Sequence, residues 1–414
     1  MNDRKLFVLF TYGGGIRGLV AARLMQEIEE KTGLAMTDMF DVFMGPSTGA
    51  ILNAALNVPH PHNPDRPKFR ARHMVRFYER QGIKIFTSDK FRTFRSFIHD
   101  FNNRTMKISQ LNWLLKHGHY DPSNLNRALR NLYGKTRLGE TLKSLIVPTY
   151  NIDGAQIAMA EEKDETGDTP VRTKNNFVDG GGHALWLKNL HFDGIQRSPV
   201  LWDVPLIDAV RASTAAPTYF PSHYFSLLNE DGQTTRTCTG IDGSIFDNPC
   251  ISYLGALGPY VPKDTEVVMV ILGTGYTHRS FKHEDWNRYG GLGVVDPVND
   301  LPLINIFFHA SESALFEAFD AEVGNNVYPF NRSMFNNINP KDAPSEQIDD
   351  ASAENITRLH KFAELIMEEN GEKLENVCNM AVKHYESQFT SRIIKKSRRL
   401  FSFFGNGKKK KDPV

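Results

Sequence analysis

The sequence predicts an α/β protein built on a buried, mostly parallel sheet, and three stretches predict it. An apolar run, Leu6-Phe7-Val8-Leu9-Phe10, feeds a glycine-rich loop and then a helix carrying Leu19, Ala22, Leu24, Met25 and Ile28. A second apolar segment, Met39 to Met44, feeds Gly45-Pro46-Ser47-Thr48-Gly49 and a helix opening at Ala50. Far along the chain, Val267-Val268-Met269-Val270-Ile271-Leu272 is a near-continuous apolar strand of the kind buried on both faces of a parallel sheet.

The totals bound the function. At 414 residues the chain has room for one large domain and something smaller, and 40% hydrophobic content with 11% aromatics supplies a real core. A formal net charge of +1 excludes a global field that recruits nucleic acid. The three cysteines, Cys238, Cys250 and Cys378, lack metal spacing, which argues against a disulfide framework and a structural zinc site and fits a reducing compartment. No apolar run approaches the ~18 residues of a membrane span. The run at Leu6–Phe10 is also too short for a signal-peptide core. The expectation is a cytoplasmic protein, with export by a route that needs no cleavable signal left open.

Taken in order, Gly13-Gly14-Gly15-Ile16-Arg17-Gly18 exposes successive backbone N–H groups between a strand and a helix, an anion site by construction. A dinucleotide fingerprint matches formally, but the acidic residue about twenty positions on finds only Asp38 and Asp41, which precede the next strand or lie within it. A P-loop is excluded for want of its Gly-Lys-Ser/Thr. The reading placed ahead of these is an oxyanion hole serving Ser47, because two such turns at neighbouring strand ends face one crevice. Gly45-Pro46-Ser47-Thr48-Gly49 fits a nucleophile elbow, whose flanking glycines allow the tight turn that projects the hydroxyl at a helix N-terminus. By itself it also fits an ordinary capped turn.

Pro59 to Pro67 is expected as a surface loop with solvated His60 and His62. Ala71 to Leu132 is basic and aromatic, with helical spacing at Met74, Phe77, Tyr78 and again at Leu125, Ala128, Leu129, Leu132. Within it, Lys90 to Phe97 interleaves aromatics with charge, as a nucleic-acid stacking surface would, but the near-neutral net charge favours a half-buried element or a lid touching lipid head groups. Ser144 to Tyr150 is a strand that Ile152 to Ala160 extends or pairs. Asp203 is placed as the cap of a helix with Pro205 in its first turn, running to Ala216. Two short strands then flank Asp231-Gly232, the second ending in Ile241-Asp242-Gly243-Ser244-Ile245-Phe246-Asp247-Asn248-Pro249. From about Ala351, two amphipathic helices follow.

Five motifs in this order resemble the patatin-like phospholipase family: the Gly13–Gly18 loop, the Gly45–Ala50 elbow, Arg211 to Pro221, Asp242-Gly243 with Asn248-Pro249, and Gly273-Thr274-Gly275. The resemblance covers roughly residues 4–330. It implies an α/β fold, a mostly parallel sheet with helices on both faces. It further implies a lipid acyl hydrolase of phospholipase A or lysophospholipase type. In that role Ser47 is the nucleophile, Asp242 its general base without a histidine, Gly13, Gly14, Gly15, Arg17 and Gly18 form the oxyanion hole, and Gly45, Gly49 and Gly243 support the motifs. No metal and no cofactor are implied. Tyr12 stands where the family usually has Asp, which leaves the support of the loop open, and Ser244 stands where Gly or Ala is usual. Asp179-Gly180-Gly181 matches the short acidic motif but lacks the following Asn-Pro.

Two other readings compete. An α/β-hydrolase esterase would need a histidine after the Asp, for which His278, His283 and His309 are available. A binding module would recruit a partner through the C-terminal helices. The partners expected are a phospholipid or other acyl-lipid substrate and a peripheral membrane surface, with no nucleic acid and any protein activator unidentified. The surface is expected to meet the tail. On a helix, Ile393, Ile394, Leu400, Phe401 and Phe404 share one face, Arg392, Lys395, Lys396, Arg398 and Arg399 the other, and Lys408 to Lys411 follow. The organisation expected is an acyl hydrolase domain over 4–330, a helical extension over 351–390 and a basic amphipathic tail over 391–414.

Overall fold

The computed structural model describes residues 4–85, 120–153, 181–195, 203–217, 219–228, 235–277, 282–284, 286–288, 315 and 317–405, of which 235–236 and 391–405 are described as backbone only. The basic-aromatic stretch 90–97, the strand extension beyond 153, Asp179 and the Asp231-Gly232 turn lie outside these residues.

The chain opens with β1 (Arg4–Thr11), α1 (Gly18–Thr32), α2 (Met36–Met39), β2 (Val42–Met44) and α3 (Thr48–Leu56). It continues through a small hairpin of β3 (Pro59–His60) and β4 (Asn63–Pro67), then α4 (Ala71–Ile85), α5 (Ser123–Tyr133), β5 (Ser144–Asn151) and β6 (His183–Asn189). Next come α6 (Leu206–Ser213), β7 (His223–Leu228), β8 (Thr235–Ile241) and α7 (Pro249–Ser252). The last elements are β9 (Thr265–Leu272), β10 (Val327–Phe330), α8 (Ala353–Glu369) and α9 (Gly371–Gly405).

One sheet runs β10-β9-β1-β2-β5-β8-β7, with β6 also paired to β5. The first five strands of that order are mutually parallel, and the β5-β6, β5-β8 and β7-β8 pairs are antiparallel. The two-residue period of a strand sorts the core. Phe7, Leu9, Phe43, Leu145, Val147, Val268 and Val270 face the layer that holds α1, α3, α8 and α9. Leu6, Val8, Phe10, Val42, Met44, Ile146, Val267 and Met269 face Cys250, Tyr253, Leu257 and Phe319 on the other side. Helices therefore cover both faces, as the family resemblance implies. Leu359, Phe362, Ile366, Leu374 and Val377 of the C-terminal helices join the same core as α1.

Three local expectations change. Met36 to Met39 is a helical turn, because the Asp38 carboxylate accepts the Ala35 N–H (3.0 Å), and β2 keeps only Val42 to Met44. Asp203 does not cap α6: its carboxylate is drawn to Arg137, its backbone bridges Leu228, and Pro205 takes the N-cap position. The Pro59–Pro67 stretch closes into the β3-β4 hairpin where a loop was expected.

Candidate active site

Two strand-to-helix turns meet because β1 and β2 are adjacent and parallel, Phe10 opposite Met44. After β2 the chain reverses within Gly45, Pro46 and Ser47. Ser47 takes φ 52° and ψ −122°, a backbone that non-glycine residues avoid. Neighbours hold it there. Its N–H donates to Ser213 Oγ (3.0 Å), whose hydroxyl donates to Pro148 O (2.6 Å). Asn53, fully buried on α3, donates to Met44 O (3.0 Å) and accepts from Thr11 Oγ1 (3.0 Å). Side chains at Gly45 or Gly49 would run into the Thr11 carbonyl, so glycine is required by close approach of the two turns.

The loop after β1 lies against the nucleophile: a β-carbon on Gly13 would stand 3.2 Å from Ser47 Cβ. The Gly13 N–H donates to both carboxylate oxygens of Asp247 (3.0 and 2.9 Å), and Gly13 O accepts from Thr274 Oγ1 (2.5 Å). Gly14 O accepts from the Arg17 N–H (3.1 Å) and Gly15 O from Thr48 Oγ1 (2.9 Å). The N–H groups of Gly14 and Gly15 donate to no described residue. Gly18 opens α1 with its α-carbon against Thr48 and the Tyr78 hydroxyl. The Arg17 guanidinium is buried behind the loop, donating through Nη1 to Met334 Sδ (3.1 Å). Burial lowers its pKa, while Asp247 and Glu346 act in the opposite sense.

Asp242 follows β8 and is 2% exposed. Its Oδ1 accepts from the Ser244 N–H (2.8 Å) and from the Ser244 hydroxyl. Its Oδ2 is buried with no closed hydrogen bond, and the Ser47 hydroxyl stands near enough to favour the ionised carboxylate without completing one. Burial pushes the Asp242 pKa up to about 6, against the pull of Ser244, Ser47 and Arg211. Arg211, itself 2% exposed, donates to Asn126 Oδ1 (3.1 Å) and Pro221 O (3.2 Å), and burial brings it down to about 10. Gly243 passes against the Pro148 carbonyl, where a side chain would not fit.

A cavity of about 50 Å³ opens beside Ser47. Ile51, Phe77, Ile85, Leu125 and Phe220 make it apolar, Gly15 and Ile348 close one side, and no histidine among the described residues lines it. Ile348 arrives from the segment between β10 and α8, and its carbonyl accepts the Ile16 N–H (2.8 Å). Of the histidines weighed above, His278 and His309 lie outside the described residues; His283 is exposed and bonded to Asn287 (3.0 Å). Among the described residues no group of three or more His, Cys, Asp or Glu could hold a metal ion, and no helix is long and apolar enough to cross a membrane.

Sequence reasoning brought Ser47, Asp242, the loop glycines and Arg17 to one place. It did not single out Ser213, Asp247 or Ile348 for a role. Ser213 and Asp247 sit inside quoted motifs, whereas Ile348 carried no signal at all.

The family model described as patatin-like phospholipase matches residues 10–254 of the chain. Patatin-like protein 2 of Oryza sativa subsp. indica is 26% identical over 398 residues, covering 89% of this chain and 85% of that protein. Patatin-like protein 1 of Arabidopsis thaliana is 27% identical over 345 residues, covering 76% of this chain and 72% of that protein. Among solved structures, VipD from Legionella pneumophila aligns with 96% of this chain and 77% of its own at 11% identity, with a TM-score of 0.28, too low a likeness to carry an argument.

Proposed function

Because this chain belongs to the patatin-like phospholipase family and is an acyl ester hydrolase, we propose that Ser47 and Asp242 act as a nucleophile–base dyad on the acyl esters of phospholipids or lysophospholipids. The observation that carries the reading is the buried, unclosed Oδ2 of Asp242 beside the Ser47 hydroxyl, with the unengaged Gly14 and Gly15 N–H groups next to it.

Ser47 Oγ attacks the ester carbonyl carbon and its proton passes to Asp242. A carboxylate raised to about 6 is a stronger base toward a hydroxyl than an ordinary one, which is what burial supplies. The carbonyl oxygen becomes an oxyanion between the Gly14 and Gly15 N–H groups, each donor worth ~3 kcal/mol in the transition state. As the tetrahedral centre collapses, Asp242 returns the proton to the leaving alcohol, which departs as a lysolipid or a deacylated head group. A water, deprotonated by Asp242, then clears the acyl-enzyme as free fatty acid. The apolar cavity takes the first methylenes of the acyl chain.

Mass spectrometry of the products from mixed phospholipids tests this. Wild-type protein is expected to release fatty acid matched by the sum of lysolipid and deacylated head group, and Ser47→Ala neither. Fatty acid released equally by both proteins would remove the assignment of Ser47.

The tail supplies the proposed membrane contact. The backbone of α9 stays helical to Gly405, and the sequence of residues 391–414 is basic and amphipathic. Each basic residue near an anionic surface adds on the order of 1 kcal/mol, an attraction that salt weakens. Deleting residues 391–414 is expected to lower binding to anionic vesicles and hydrolysis of vesicle lipid several-fold, while a soluble short-chain ester is cleaved as before. Equal vesicle binding by truncated and full-length protein at low salt would sink this part of the reading.

A further inference from the structure

An oxyanion donor works only if it is already aimed when charge develops. Glycines leave the backbone free, so the loop's own sequence does not aim the Gly14 N–H. Tyr12 offers no carboxylate to the loop either, its ring lying edge-on to Phe10 at 5.1 Å. The aim must come from outside the loop.

The contacts at Gly13 supply it. A peptide unit is planar and trans, so the carbonyl of one residue and the N–H of the next point in opposite directions. Whatever grips Gly13 O therefore turns the Gly14 N–H the other way. That grip is Thr274 Oγ1, 3% exposed, at the end of β9. The preceding peptide is held by its N–H, which both oxygens of Asp247 accept. Asp247 is placed by the turn after Asp242, where its own N–H donates to Ser244 O (3.0 Å). The Gly15 N–H is set in the same manner, since Gly14 O is taken by the Arg17 N–H. The negative charge of Asp247 stands near the buried Arg17, whose charge it supports.

We propose that Thr274 and Asp247 are positioning residues for the oxyanion hole: they clamp Gly13 at its carbonyl and its N–H and thereby aim the Gly14 donor. The proposal rests on the hydrolase reading above, and its test separates the two. On a soluble short-chain ester, Thr274→Val keeps the side-chain shape and removes the hydroxyl. It should lower kcat about 30- to 100-fold, short of the roughly 10²- to 10³-fold that loss of one oxyanion donor costs, because the donor is misaimed and not removed. KM should stay within about threefold, and an alkyl trifluoromethyl ketone, which forms a hemiketal oxyanion on Ser47, should bind weaker by a factor similar to the kcat loss. Thr274→Ser restores the hydroxyl and should recover to within about fivefold of wild type. Asp247→Asn keeps an acceptor for the Gly13 N–H and should lose less than about tenfold, whereas Asp247→Ala should match Thr274→Val. The acid limb of the pH–rate profile should not move in Asp247→Asn.

Thr274→Val with kcat within twofold of wild type overturns the proposal. So does an equal loss in Thr274→Val and Thr274→Ser, or a loss confined to KM with ketone affinity unchanged. If Asp247→Ala fails to fold, Asp247→Asn decides that arm: an acid limb displaced in that variant would show that Asp247 acts through the ionisation of Asp242 and not through the donor loop, and would overturn its part of the clamp. Hydrolysis that persists in Ser47→Ala would instead overturn the hydrolase reading, and the clamp would fall with it.

Discussion

Ser47→Ala and Asp242→Ala will each lower ester hydrolysis by about 10⁴-fold or more, with circular dichroism and melting transitions still those of a folded protein. The size follows from the division of labour in the dyad. Without the Ser47 hydroxyl no acyl-enzyme forms. Without Asp242 the hydroxyl has no acceptor for its proton, since no histidine among the described residues lines the cavity. Residues that act as one unit lose nearly everything when either is removed. Asp179→Ala, in the stretch that mimics the acidic motif, should retain full activity. An inactive but folded Asp179→Ala beside an active Asp242→Ala would reverse the assignment.

Asp242→Asn will stabilise the folded protein at pH 8 while abolishing its activity. The buried carboxylate has its pKa raised from an ordinary 3.8 to about 6, so the folded state holds the proton more tightly than the unfolded chain does. Below 3.8 both states are protonated and no penalty exists. Between 3.8 and about 6 stability falls as pH rises, and above about 6 the cost is complete. That climb corresponds to about 3 kcal/mol. Denaturant unfolding at pH 8 should thus show the Asn variant more stable by up to about 3 kcal/mol, and the advantage should vanish near pH 4. The wild-type kcat/KM should fall about tenfold per unit below an apparent pKa near 6, because only the ionised carboxylate accepts the Ser47 proton. An Asn variant less stable than wild type at both pH values, or a rate that ignores pH between 4.5 and 7, would contradict this account of Asp242.

The elements that sequence made legible are those where backbone sterics leave no choice. Gly45 and Gly49 must be glycine because two turns share the space at the Thr11 carbonyl, and that demand is written at a fixed spacing. The β9 strand reads clearly because both its faces are buried from Val267 onward, so every position from Val267 to Leu272 is apolar. What stayed hidden depends on partners far apart in the chain. Ser213 supports Ser47 from 166 residues away and Asp247 grips Gly13 from 234 residues away, and neither distance leaves a local pattern. The start of α6 was misplaced for the same reason. Asp203 has the chemistry of a cap, but Arg137, 66 residues earlier, claims its carboxylate first.

The carbonyl of Ile348 on the Ile16 N–H joins the first turn of the chain to one that the ribosome makes more than 300 residues later. Synthesis runs from the N-terminus, so the nucleophile, the donor loop and the base all emerge before the wall that Ile348 provides. Until Ile348 is added, the cavity beside Ser47 lacks one of its walls, while Ile51, Phe77, Ile85, Leu125 and Phe220 are already in the chain.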